Sequence, residues 1–262
     1  MVVTTYRIPY TYGETIRIHA LFDTHYGNRA CDIRAFKSFI ADDKEAYWLT
    51  GGDNQDSITI TDKRYRKTMD VTESESIIDE QVDGMTSMLM PYKDRGILIG
   101  SGNHEQKIAR ISGTHPAKRL AKNLGVPYLG YTWYLRLILT ENGARGRTVT
   151  VLGHHGFGGG SRTRGGSLTK YTNHSSYFDG DVYLYGHDHK RQRDEIDRIG
   201  LAGDKIISKP KVLCLCGTYL KTFSDTVDPT YSEEFGHPPT AIGNLTLNIK
   251  PTRKWVEIRV EK

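Results

Sequence analysis

The first half of the chain alternates short apolar segments with segments of helical periodicity. Residues 16–22 alternate and then become fully apolar, which predicts a strand buried on at least one face. Apolar residues recur at helical spacing in residues 32–42, and residues 46–49 predict a second buried strand. A third short strand is predicted at residues 96–100. This β-α-β pattern favours an α/β fold.

The second half of the chain is predicted to be rich in strands. A turn at residues 141–143 joins strand-like segments at 131–140 and 147–152, which indicates an antiparallel hairpin. Four more strands are predicted at residues 181–185, 206–215, 241–249 and 254–260, and helices at 105–111 and 116–124. We predict one domain over residues 1–262, with a mostly helical insertion at about 57–92.

Composition narrows the class of protein but assigns no function. The 262 residues are 37% hydrophobic and 26% charged, which excludes disorder, collagen and coiled coil. Three cysteines cannot all pair, and no apolar run approaches the roughly 18 residues of a membrane span, so a cytoplasmic protein is expected (host cytoplasm if viral). The net charge of +5 fits either a solvated basic surface or a partner that carries phosphate.

Polar side chains of the kind that bind metals follow each of the first three predicted strands. Asp23 and His25 follow the first strand, Asp53 the second, and Asn103 and His104 the third. Strand tips of this kind are where α/β proteins place their sites. Taken singly, each block also fits an ordinary structural role: a capping aspartate beside a surface histidine, a tight turn, or a helix cap.

Two histidine clusters follow later strands. His154 and His155 come after residues 149–152, and His187 and His189 after residues 182–185. Oxygen and imidazole ligands without thiolates suit Mn, Fe, Zn, Co or Ni rather than a zinc finger or an all-oxygen calcium site. Six of the ten histidines thus fall in or beside five short blocks.

In this order the five blocks D-x-H, GD, GNHE, H and GH-x-H resemble the calcineurin-like metallophosphoesterases. The resemblance spans residues 23–189. It implies a four-layer α/β/β/α sandwich, in which helices flank two mixed sheets. A segment at residues 231–239 is loosely similar to phage-encoded members, which suggests a phage-type member.

The resemblance also implies two divalent metal ions. It assigns one ion to Asp23, His25, Asp53 and His189, and the other to Asp53, Asn103, His154 and His187. Asp53 would bridge the ions, and a hydroxide between them would attack phosphorus. The interpretation favours Mn²⁺, with Fe, Zn, Ni, Co and Mg as alternatives.

Further roles follow from the same resemblance. His104 and Asp53 are the expected catalytic residues, and His104 would contact the phosphate or protonate the leaving oxygen. Asn103 would also touch substrate. Asp56 and Glu105 are expected to orient the ligands, as is His155. His154 and His155 are adjacent and would face opposite ways, and we favour His154 as the ligand.

A glycine-rich segment at residues 156–166 carries Arg162 and Arg164. It fits equally a mobile lid whose guanidinium groups bind substrate phosphate and a solvated loop.

The expected function is hydrolysis of a phosphoester, and the basic charge favours a phosphodiesterase or a nuclease acting on DNA or RNA. The alternatives are a phosphomonoesterase, acting on protein or small molecules, and a binding scaffold without catalysis. No membrane partner is expected, and the sequence leaves the oligomeric state open.

Overall fold

The computed structural model describes residues 1–59, 62, 65, 76–141, 143–161, 163, 165–223, 229–253 and 255–262. The described strands are β1 Val2–Tyr10, β2 Ile16–Leu21, β3 Tyr47–Thr50, β4 Gly96–Gly100, β5 Tyr128–Gly130, β6 Thr132–Glu141, β7 Ala144–His154, β8 Val182–Tyr185, β9 Arg191–Ala202, β10 Lys205–Cys216, β11 Leu245–Pro251 and β12 Val256–Glu261. The described helices are α1 Ile33–Asp42, α2 Ile77–Leu89, α3 Asn103–Ser112, α4 Pro116–Leu124, α5 Gly166–Ser175 and α6 Tyr231–Glu234, with a 3-10 turn at Met90–Arg95.

These strands form two mixed sheets of six strands each. One sheet has the order β12-β11-β2-β3-β4-β5, in which β2, β3, β4 and β5 are parallel. The other has the order β1-β6-β7-β8-β10-β9, in which β6 and β7 form the predicted antiparallel hairpin. The carboxyl ends of β2, β3 and β4 therefore lie at one edge of the first sheet, and those of β7 and β8 at one edge of the second.

The main core lies between the sheets. Ile18, Trp133 and Val151 belong to this cluster and are fully buried. A second cluster packs α1, α2 and α4 against the outer face of the first sheet, and a third packs Tyr171 of α5 against the outer face of the second. The layers are thus helices, sheet, sheet and helix, which confirms the predicted α/β/β/α sandwich.

The predicted elements agree closely with the structure wherever hydrophobic periodicity was strong. Helix α4 begins and ends as predicted, and Gly125 closes it in a left-handed conformation with φ of 69°. Of the predicted helical insertion, α2 and the 3-10 turn are described, whereas residues 60, 61, 63, 64 and 66–75 lie outside the described residues. Among the described helices, none is long and apolar enough to cross a membrane.

Candidate metal centre

The loops that follow β2 and β3 run side by side beyond the end of the sheet. The backbone N–H of Asp23 donates to the Gly52 carbonyl at 3.1 Å, and that of His25 donates to the Asp53 carbonyl at 2.9 Å. The loop after β4 lies so close that a Cβ at Gly52 would stand 2.2 Å from the Gly102 nitrogen. Glycine at position 52, with φ of 104°, is therefore required by both space and conformation.

Left-handed backbone conformations are concentrated at the predicted ligands. Among the described residues, the non-glycine positions with positive φ are Asp23, His25, Asp53, Ser57, His187 and His189. Five of these six are predicted metal ligands. Such conformations cost free energy and cluster at functional sites, where they aim a side chain that an extended backbone would aim elsewhere.

Asp53 lies at the middle of the site and is almost fully buried. Its Oδ2 atom is 3.2 Å from His155 Nε2, 3.8 Å from His25 Nε2 and 3.9 Å from His104 Nε2. Its Oδ1 atom accepts the backbone N–H of His104 at 3.0 Å. One buried carboxylate thus faces three imidazoles, and carboxylate and imidazole groups are common ligands of divalent metal ions.

Three potential ligand atoms other than those of Asp53 converge in one group. Asp23, His25 and His189 each offer an atom within 4.8 Å of the others. His25 Nε2 and His189 Nε2 are only 3.0 Å apart. The resemblance assigned these three residues to one ion, and the structure brings them together.

A second group includes Asp53 itself. Asp53, His155 and His187 offer atoms within 4.8 Å of one another. The Asn103 Oδ1 atom joins them, at 2.8 Å from His187 Nδ1 and 3.0 Å from His155 Nε2. Asn103 and His187 are therefore placed as predicted, with His155 beside them.

The donor set of both groups fits divalent metal ions. Asp23 Oδ1 is buried without a hydrogen-bond partner among the described residues, and buried carboxylate oxygens are normally satisfied. Asp56 accepts from His25 Nδ1, so that nitrogen carries the proton and Nε2 presents a lone pair to His189. Converging lone pairs and carboxylate oxygens with no thiolate match Mn²⁺, Fe²⁺ or Zn²⁺.

The pKa values of these residues are shifted because charged groups are buried close together in the site. Burial raises the pKa of Asp23 to about 7. Burial opposes ionisation of both Asp53 and His155, but their mutual attraction outweighs it, so the pKa of Asp53 falls well below its usual range and that of His155 rises to about 9. Burial and the neighbouring His25 lower the pKa of His189. Strongly shifted groups of this kind mark functional sites.

The structure places His155, rather than the favoured His154, beside Asp53 and Asn103. Side chains alternate along β7, so His154 shares the outer face with Leu152 and packs under α5, with its ring 5.0 Å from that of His174. His155 shares the inner face with Val151, is fully buried, and holds the Gly51 carbonyl at 3.1 Å through Nδ1. The structure thus brings His155, and not the predicted His154, into a group of potential ligand atoms.

Asp56 and Glu105 lie where orienting carboxylates were predicted. Asp56 Oδ1 is 3.2 Å from His25 Nδ1, and the Asp56 carbonyl accepts from His104 Nδ1. Because a carbonyl only accepts, His104 Nδ1 carries a proton and Nε2 faces Asp53. Glu105 accepts the backbone N–H groups of Gly102, Asp53 and Asn54 at 2.8, 3.0 and 2.6 Å, and so ties two of the loops together.

Sequence reasoning missed the contacts of Asp188, which lies between His187 and His189. Its Oδ1 atom accepts from Lys170 Nζ at 2.7 Å and from the Tyr171 hydroxyl at 3.1 Å. The Asp188 side chain is only 1% exposed. Both partners lie on α5, which precedes the GH-x-H block in the chain, so no local pattern connects them with Asp188. These bonds fix the last block to α5.

Arg162 and Arg164, the predicted phosphate-binding pair, lie outside the described residues. The neighbouring part of the glycine-rich segment is described and lies against the site. His187 Nε2 lies 2.7 Å from the Gly158 carbonyl, and Lys190 Nζ donates to the Ser161 carbonyl at 2.8 Å. The segment is therefore attached to the last ligand block at these points.

The sandwich and the convergence of the five blocks support the resemblance to calcineurin-like metallophosphoesterases. Similar solved structures include Vps29 from Entamoeba histolytica complexed with Zn²⁺, with a TM-score of 0.40, 11% identity and coverage of 94% of this chain and 98% of that chain. A metallophosphoesterase from Sphaerobacter thermophilus has a TM-score of 0.38, 12% identity and coverage of 95% and 89%. A predicted phosphoesterase from Streptococcus pneumoniae has a TM-score of 0.32, 11% identity and coverage of 95% and 99%.

At these TM-scores and identities, the likeness establishes neither the activity nor the substrate of this chain. Comparison with known protein families gives no match, and neither does comparison with curated proteins. A function for this chain must therefore be inferred from the geometry of the site itself.

Proposed function

We propose that this chain is a metal-dependent phosphoesterase that uses two divalent ions and acts on phosphodiesters, as a nuclease. The observation that carries the proposal is the convergence of two groups of ligand atoms, each within 4.8 Å. Asp53 belongs to one group, and its Oδ2 atom lies 3.8 Å from His25 Nε2 of the other. A carboxylate so placed is what a two-ion phosphoryl-transfer site needs, because both the attacking and the leaving oxygens require stabilisation.

Divalent ions held by Asp23, His25, Asp53, Asn103, His155, His187 and His189 would supply Lewis acidity and an activated water. The protein's own part is to hold this donor set. Asp56 fixes the proton of His25 on Nδ1, which leaves Nε2 free to bind. Glu105 holds the backbone on which Asp53 and Asn54 lie.

His104 is suited to proton transfer at the leaving oxygen. Its Nδ1 proton is occupied by the Asp56 carbonyl, so only Nε2 can exchange a proton with substrate. The His104 side chain is 8% exposed, which lets a bound phosphoester reach an otherwise buried imidazole. When protonated, Nε2 would donate to the leaving group as a general acid.

The preference for a diester rests on the excess of basic over acidic residues in the chain, with 36 Lys and Arg against 31 Asp and Glu. A nucleic-acid strand carries one charge on every phosphate and is attracted by such a surface. A phosphomonoesterase and a scaffold without catalysis are the alternatives.

The test is hydrolysis of bis-p-nitrophenyl phosphate and of p-nitrophenyl phosphate by purified protein, with Mn²⁺ and with EDTA. The proposal expects Mn²⁺-dependent cleavage of the diester. Cleavage of the monoester alone would indicate a phosphomonoesterase instead of a phosphodiesterase. Bound metal without cleavage of either compound would favour the scaffold.

A further inference from the structure

A groove of about 430 Å³ opens beside the candidate metal centre and is lined by Asn103, Gln106, Lys107, Arg110, Ile111 and Tyr131. Asn103 belongs to both the groove and the metal centre, so the two are continuous. A molecule whose phosphate reaches the centre would therefore have room to extend along this groove.

One face of α3 forms a wall of the groove. Asn103, Lys107 and Arg110 follow the i, i+4, i+7 spacing that places residues on the same helix face. At a rise of 1.5 Å per residue, Lys107 lies roughly 6 Å and Arg110 roughly 10 Å along the helix axis from Asn103. Two cations thus follow the ligand in a line that leads away from the centre.

The two cations differ in their partners. Lys107 Nζ donates to the buried carboxylate of Asp62, which neutralises much of its charge. Arg110 is exposed, and within the part of the chain that the structure describes no carboxylate pairs with it. Among the described residues, the positive charge of the groove that no carboxylate pairs with therefore lies at the end away from the metal centre.

Tyr131 supplies an aromatic ring in the same groove. Its hydroxyl donates to the Gly156 carbonyl at 2.8 Å, and its ring packs edge-on at 5.2 Å from that of His155. A ring held in this way loses little further freedom when a planar group stacks on it. A cationic groove with an aromatic side chain is the usual means of binding a single strand without sequence preference.

We propose that this groove binds the continuing strand of a single-stranded nucleic acid, with Arg110 on a phosphate beyond the scissile one and Tyr131 against a base. The inference rests on the proposed function for the scissile end but concerns different side chains. It names the substrate class that the metal centre alone leaves open, since a strand has a second phosphate and a simple phosphoester has none.

The experiment measures fluorescence anisotropy of a labelled oligothymidylate of about ten nucleotides, in EDTA so that no cleavage occurs. The variants are Arg110→Ala, Tyr131→Phe, Tyr131→Leu and, as a matched control, Arg259→Ala. Arg259 is an exposed arginine on β12, at the edge of the sheet opposite β5. Circular dichroism verifies that each variant is folded.

Loss of one phosphate contact should reduce the salt dependence of binding, so the slope of log K against log salt becomes shallower by about one unit in Arg110→Ala. Affinity should fall several-fold in Arg110→Ala and in Tyr131→Leu, but remain near wild type in Tyr131→Phe, which keeps the ring. Arg259→Ala should match wild type in both affinity and slope.

An unchanged slope in Arg110→Ala would overturn the proposal, as would wild-type protein that fails to bind the oligonucleotide. Competition by a phosphoserine peptide as strong as that by unlabelled oligonucleotide would also overturn it, in favour of a protein substrate. The proposed function is measured separately, by Mn²⁺-dependent cleavage of bis-p-nitrophenyl phosphate. Cleavage with an unchanged slope rejects the groove alone, whereas a changed slope without cleavage rejects the enzyme alone.

Discussion

His155 Nε2 lies 3.2 Å from Asp53 Oδ2, although the two residues are about a hundred positions apart and follow strands of different sheets. This contact links the carboxyl end of β3 in one sheet to the carboxyl end of β7 in the other. It is also where the sandwich and the candidate metal centre depend on each other, because neither sheet alone carries the full ligand set.

The first prediction distinguishes the two adjacent histidines. His155→Ala should lower metal affinity by at least about 10-fold, because it removes a ligand and leaves Asp53 partly unpaired. His154→Ala should keep the wild-type metal content, since the His154 ring packs near His174 and Tyr185 on the other face. Metal content after dialysis, measured by mass spectrometry, checks both variants. The reverse order of effects would restore His154 as the ligand.

The second prediction concerns His104. His104→Ala should retain bound metal but lose roughly 100- to 10,000-fold in turnover, which is the usual contribution of general acid catalysis. The measurement pairs metal content with the rate of bis-p-nitrophenyl phosphate hydrolysis. Loss of metal together with activity would instead make His104 a ligand, as its 3.9 Å distance from Asp53 Oδ2 would allow.

The third prediction concerns Glu105, which accepts four N–H donors with its two oxygens. Glu105→Gln would turn an NH₂ group toward backbone donors, so the free energy of unfolding should fall by about 3 kcal/mol or more. Urea denaturation provides the measurement. The control is Glu257→Gln, an exposed position that should change stability by less than about 0.5 kcal/mol. Equal stabilities of the two variants would contradict the role given to Glu105.

The fourth prediction concerns Lys170, which with Tyr171 compensates the buried Asp188. Lys170→Met should loosen the segment that carries His187 and His189 and weaken metal binding by about 10- to 100-fold. Lys118→Met, an exposed position on α4, is the matched control. Isothermal titration of metal-free protein with Mn²⁺ measures the affinity. An unchanged affinity in Lys170→Met would show that α5 does not support the last block.

Much of the fold could be predicted from hydrophobic periodicity. Helix α1, capped by Asp32, and the hairpin of β6 and β7 have strong signals that come from local residues. Strands β1 and β9 were not predicted. Strand β1 is largely exposed along one face and pairs in parallel with β6. The charged strand β9 is stabilised by twelve residue pairs with β10. Pairing between distant segments fixes such strands, and periodicity does not report it.

Most residues of the candidate site could be predicted from the sequence, but which of the two adjacent histidines faces the site could not. The order of the blocks indicated Asp23, His25 and His189, and the structure brings them together. The choice between His154 and His155 depended on the side to which β7 turns its last residues. Side chains alternate along a strand, so His155, four residues after the apolar Val151, would have been placed on the same inner face. The support of Asp188 by α5 depends on tertiary packing and has no local signal.

The central claim is that the ligand atoms around Asp53 hold ions that hydrolyse a phosphodiester. The most direct measurement is the rate of bis-p-nitrophenyl phosphate hydrolysis by chelator-treated protein before and after addition of Mn²⁺, with Asp53→Asn measured in parallel. We predict no hydrolysis without metal, recovery when Mn²⁺ is added, and no recovery in Asp53→Asn. Hydrolysis by Asp53→Asn at the wild-type rate, or none by wild-type protein with Mn²⁺, would contradict the claim.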